Sequence, residues 1–120
     1  MKDCIFCKII NGEISSKMIY EDDLVYVFLD LNQDCPGHSL IVPKNHYVTL
    51  HDIPADLLNY IMKVANNLYS DFEKKLKCDG MTLLQNNGCA QDIKHFHLHL
   101  LPKYIKKPSL SIEQISDILK

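Results

Sequence analysis

Between residues 52 and 80 the chain carries one long run of helical periodicity, and this run must find a surface to cover. Asp52-Ile53-Pro54 opens it, with proline acceptable in the first turn, and Leu57, Leu58, Ile61, Met62, Ala65, Leu68, Tyr69, Phe72 and Leu76 follow at intervals of three and four. Such a stripe predicts a core-facing helix, ended by Cys78-Asp79-Gly80. The flanking segments read as strands. Leu24-Val25-Tyr26-Val27-Phe28-Leu29-Asp30 is β-branched and aromatic, and Asp22-Asp23 reads as the turn joining it to Met18-Ile19-Tyr20. His38-Ser39-Leu40-Ile41-Val42-Pro43 is a third strand closed by proline, and Met81 to Gln85 and Lys94 to Leu101 are two more around the polar loop 86–93. Residues 5–11 predict a short helix capped by Asn11-Gly12, and Ser111 to Leu119 another. The order predicts an α+β domain spanning residues 1–120: a five-stranded antiparallel sheet with one long helix packed on it and short helices near both ends.

Composition excludes several classes. Of 120 residues, 47% are apolar and 23% charged, which is ordinary globular usage rather than that of a disordered chain. The longest apolar runs, such as Leu24 to Leu31, fall far below the roughly 18–20 residues that cross a bilayer, so no membrane association is expected. A net charge of −2 offers no general attraction to nucleic acid. Five cysteines, an odd count, argue against a disulfide framework, and residues 1–4 lack the apolar core of a signal peptide; a cytoplasmic location is expected.

The chemistry concentrates in His95-Phe96-His97-Leu98-His99. On an extended strand these three imidazoles would share one face, roughly 7 Å apart, while Phe96, Leu98 and Leu100 face the core. Imidazole has both protonation states available near neutral pH, so it can attack a bound group, bind it or protonate it. Spacing alone equally permits a His-x-His catalytic zinc site.

The segment His95 to Leu101 resembles the signature of the histidine-triad superfamily of nucleotide hydrolases and transferases, in the branch carrying an N-terminal Cys-x-x-Cys pair and close to the purine nucleoside phosphoramidases. The resemblance extends through Cys4 to Ile10, Gly12-Glu13-Ile14, Tyr20 to Asp23, Phe28-Leu29-Asp30, Pro36 to Lys44 and Asn86-Asn87-Gly88, about residues 3 to 103 in all. It implies that His97 attacks an α-phosphorus to form a nucleotidyl-histidine that water cleaves. It also implies that His99 and His38 contact the phosphate, that Phe28, Asp30 and Leu31 hold base and ribose with Ile14 at the pocket edge, and that Asn86 lies near the phosphate and ribose. The implied substrate is a purine nucleotide or nucleoside phosphoramidate, with a dinucleoside polyphosphate or a weakly catalytic binding role as alternatives. The implied assembly is a homodimer joined across the sheet edge and the long helix.

The loop between Asn86 and His95 resembles the family's but is about two residues shorter, and Gln91-Asp92 falls where many members carry Gln followed by Ser or Glu, close to the leaving group. Cys4 and Cys7 alone are weak evidence for metal, but zinc prefers four N or S ligands, and His46 with His95 would complete a Cys₂His₂ set. The resemblance implies the same arrangement: a structural zinc that fixes the strand bearing His97.

Overall fold

The computed structural model describes residues 3–120. Its elements run α1 (Ile5–Ile10), β1 (Met18–Glu21), β2 (Val25–Leu29), β3 (Ser39–Pro43), α2 (Ala55–Lys75), β4 (Gly80–Gln85), β5 (Leu98–Lys103) and α3 (Ile112–Leu119), with a 3₁₀ turn at Gly88–Ala90. The strands form one antiparallel sheet in the order β1-β2-β3-β5-β4.

Alternation sorts the side chains of the central strands onto two faces. Val25, Val27, Leu29, Ile41, Leu98 and Leu100 pack beneath Ile61, Val64, Ala65, Leu68 and Phe72 of α2 and Ile115 and Leu119 of α3. Phe28, Leu40 and Val42 face the other way and pack with Phe6 and Ile9 of α1. Register therefore places one row of residues, Met18, Phe28, Leu40, His99 and Leu84, side by side across this second face. The functional side chains gather there.

The β1–β2 turn is fixed by Asp22, whose carboxylate accepts from the Leu24 and Val25 amides and from the hydroxyls of Tyr20 and Tyr60, tying the hairpin to α2. Partial burial would raise the Asp22 carboxyl, but the Tyr60 and Tyr20 hydroxyls and the two amides outweigh it and hold the pKa down to about 2.

Two boundaries and one core assignment differ from expectation. The long helix stops at Lys75, ahead of the expected end at Cys78-Asp79-Gly80; Lys77 takes the left-handed conformation (φ 61°), and Gly80 begins β4. Met62, assigned to the core stripe, is exposed, whereas Val64 is buried in its place. The last strand starts at Leu98 rather than Lys94. Its ladder with β3 ends at Ile41↔Leu98, beyond which the Phe96 amide turns away to the Tyr47 carbonyl and the Pro43 carbonyl is taken by the His95 ring. His95 and His97 thus sit on a looped approach to β5, and the regular 7 Å spacing of three strand histidines gives way to ring centroids 4.9 Å apart for His97 and His99.

Candidate functional site

His97 is almost fully buried, and its Nδ1 lies 2.8 Å from the His95 carbonyl. A carbonyl can only accept, so Nδ1 carries a proton and the neutral form of His97 has its lone pair on Nε2. The edge of its ring contact with Phe6 (centroids 5.0 Å apart, 81°) fixes the ring plane. Nε2 lies 3.6 Å from Oδ1 of Asp92, whose side chain is 80% exposed.

His38 and His99 form a second chain of polarity. His38 Nδ1 donates to the Asn32 carbonyl (3.0 Å), so its Nε2 is left to accept from His99 Nδ1 at 3.0 Å. Asp30 lies beside this pair, 3.7 Å from His38 Nε2. Burial, reinforced by the neighbouring His97 and His38, lowers the pKa of His99 and keeps it neutral, with Nε2 unprotonated. Gln33 holds the loop that presents His38: its amide donates to the carbonyls of Asp30 and His38 and its carbonyl accepts from the Gly37 amide.

His97, His99 and Asp30 open onto a cleft of about 270 Å³, whose lining also brings together Ile14, Phe28, Leu31 and Asp92, while His38 stands against His99 outside this lining. Leu31 is 89% exposed at its rim. Such a volume approaches the lower end of small-molecule sites. Asn86 stands in the turn after β4, outside this lining. Gln91 is buried, donating to the Val48 carbonyl and accepting from the Gly88 amide, so it anchors the loop beneath the site. The sequence analysis missed Phe6, Ile9 and Ile93, which also line the cleft. The spacing of Phe6 and Ile9 on one helical face was the available signal, but nothing local says which sheet face a six-residue helix will cover.

Beside the cleft, Cys4, Cys7, His46 and His95 converge, one ligand atom from each lying within 4.8 Å of the others. Cys4 Sγ and Cys7 Sγ are 3.3 and 3.6 Å from His95 Nδ1, and Cys7 Sγ is 3.4 Å from His46 Nδ1. A tetrahedral zinc with bonds of about 2.3 Å to sulfur and about 2.0 Å to nitrogen separates its ligands by roughly 3.3 to 3.8 Å, so the spacing fits. The donor states fit as well. His95 Nε2 donates to the Pro43 carbonyl (2.9 Å), turning an unprotonated Nδ1 toward the thiols, and burial lowers its pKa to about 4. Burial and the adjacent Cys4 push the Cys7 thiol up, a cost that a divalent cation would reverse.

A two-faced sheet whose cleft is lined by His97 and His99, with His95 turned to the cysteines beside it, has the form of a small-ligand site rather than a packing surface. The chain belongs to the HIT domain family, whose model matches residues 11–106. It is 46% identical over 104 residues to an uncharacterized HIT-like protein of Methanocaldococcus jannaschii (84% of this chain, 79% of that protein). It is 43% identical over 111 residues to the adenosine 5'-monophosphoramidase HNT1 of Saccharomyces cerevisiae (91% and 68%). Among solved structures, a zinc-bound histidine triad family protein from Mycobacterium smegmatis superposes with a TM-score of 0.91 at 28% identity, over 98% of this chain and 91% of that one. No helix among the described residues is long and apolar enough to cross a membrane.

Proposed function

We propose that this chain is a cytoplasmic nucleotidyl hydrolase that cleaves purine nucleoside phosphoramidates or similar adenylylated compounds. The observation that carries the reading is the His97 tautomer: a backbone carbonyl holds Nδ1–H, leaving Nε2 as a nucleophile beside the cleft. Nε2 forms a bond to the α-phosphorus as the phosphorus–nitrogen bond to the leaving amine breaks and the amine takes up a proton from water. Water then cleaves the nucleotidyl-histidine, releasing the nucleoside monophosphate. His99 and His38 bind the phosphate oxygens, Asp30 accepts from the ribose hydroxyls, and Phe28, Leu31 and Ile14 hold the base. Asn86, Gln91 and Asp92 belong to the loop that borders the phosphate and leaving group. The relative named for monophosphoramidase activity supports this reading.

Cys4, Cys7, His46 and His95 are proposed to hold zinc in a closed, structural site that fixes the segment carrying His97. A homodimer is proposed across β4 and α2, where Met62, Tyr69, Met81 and Leu83 line an exposed apolar groove of about 290 Å³ next to the free sheet edge.

Mass spectrometry of acid-quenched protein after mixing with an adenosine phosphoramidate tests the mechanism. A phosphorus adduct on His97, and loss of turnover in His97→Ala with nucleotide binding retained, are expected. Undiminished turnover in His97→Ala would refute it. Dinucleoside polyphosphate cleavage at a higher specificity constant would move the assignment to that class of substrate.

A further inference from the structure

The proposed nucleophile has a carboxylate beside it. Asp92 Oδ1 stands 3.6 Å from His97 Nε2, just beyond hydrogen-bond distance. The same Oδ1 accepts from the Ile93 amide, which aims it back toward the site. Lys94, the nearest cation in sequence, forms no ion pair with it: its Nζ donates to the carbonyls of Gly88 and Gln91, at 2.6 and 3.2 Å.

Asp92 also sits at a junction. Together with Ile5 and Ile93 it lines both the cleft that contains His97 and His99 and a neighbouring cleft of about 410 Å³, on whose wall lie Asp3, Cys4, His46 and Lys94. With the nucleoside in the first, a leaving group departing from the α-phosphorus has the second beside it, and Asp92 stands between them. A negative charge there opposes any leaving group that gains negative charge as its bond breaks, and attracts one that is or becomes positive.

We infer that Asp92 sets substrate choice by charge: the site takes nucleotides linked to cationic amines and discriminates against those linked to anionic groups such as sulfate, phosphate or carboxylate-bearing amines. The inference rests on the hydrolase reading above and names the leaving-group class that the reading leaves open. Unit charges about 5 Å apart in a largely solvated site change rates by about fivefold for each sign, and the effect weakens as added salt shortens the screening length from about 10 Å at 0.1 M.

The test compares specificity constants for three adenosine phosphoramidates of matched size, with cationic, uncharged and carboxylate tails, and for the mixed anhydride of the nucleotide with sulfate. The enzymes are the zinc-loaded wild type, Asp92→Asn and Asp92→Lys, each at low and high salt. The wild type should favour the cationic over the uncharged tail, and the uncharged over the anionic, by about fivefold per step at low salt. Asp92→Asn should flatten the series and Asp92→Lys should invert it. An unranked series in the wild type, or a ranking unchanged in both variants, overturns the inference while leaving the hydrolase reading intact. No turnover of any of the four compounds by the wild type overturns the hydrolase reading, and this inference with it.

Discussion

Gly37→Ala is the substitution whose cost can be worked most directly from the fold. Gly37 has φ +95°, and a Cβ placed there would lie 2.7 Å from Leu76 Cδ1 and 3.1 Å from Pro102 Cγ. A side chain in left-handed backbone costs about 1–2 kcal/mol. Overpacking against buried Leu76 and Pro102 adds about 1–2 kcal/mol, since the far end of Leu76 can give a little and the proline ring cannot. The backbone cannot rotate away cheaply, because the Gly37 amide donates to Gln33 Oε1 and the Gly37 carbonyl accepts from Ser39 Oγ. The sum, about 2–4 kcal/mol, lowers the midpoint of thermal unfolding by about 8–16 °C in a domain of this size. Because the next residue is His38, held 3.0 Å from His99, the loop shift should also weaken nucleotide binding. Circular-dichroism melts with calorimetric titration of a nucleoside monophosphate measure both effects. A midpoint within about 3 °C of wild type would refute the argument.

Cys4→Ser should reduce zinc from about one equivalent per chain to near zero by elemental analysis, with a lower melting midpoint; retained stoichiometric zinc would contradict the four-ligand set. Asp22→Ala should destabilise by about 1–2 kcal/mol after allowance for solvent screening, as read by urea unfolding. Since the folded-state pKa of Asp22 is depressed from 3.8 to about 2, its contribution is full above the unfolded value and is lost as pH falls through the folded one, so the wild-type advantage should be constant near neutrality and vanish toward pH 2. Leu83→Arg, on the exposed groove beside α2, should convert a dimer to a monomer in analytical ultracentrifugation without unfolding it; an unchanged sedimentation coefficient would place the interface elsewhere.

The parts of this fold that could be read from the chain are those governed by local periodicity. Val25, Val27 and Leu29 alternate, Ile61 to Phe72 recur at helical spacing, and both patterns survive because each element buries a continuous face. The approach to the last strand was misread for a nonlocal reason: whether residues 94–97 join the ladder depends on Pro43, fifty residues away, giving its carbonyl to His95 instead of to a backbone amide. Met62 follows the apolar pattern, yet lies at the margin of the sheet, where β4 offers it an edge rather than a floor. Beside the cleft, the set Cys4, Cys7, His46 and His95, which could hold a metal ion, was legible from residue type, and the geometry brings those four groups together. Phe6 was not, because its contact with His97 depends on how α1 is laid over the sheet.

The Cys4 to His95 contact spans 91 positions, with four of the five strands and the long helix lying between its two ends. During synthesis the thiols emerge first and wait for an imidazole made near the end of the sheet-forming sequence. A metal captured there would report that everything between has been made and correctly placed, and His97, two residues beyond His95, would acquire its orientation in the same event. Truncated or misthreaded chains would thus lack the setting of the proposed nucleophile altogether.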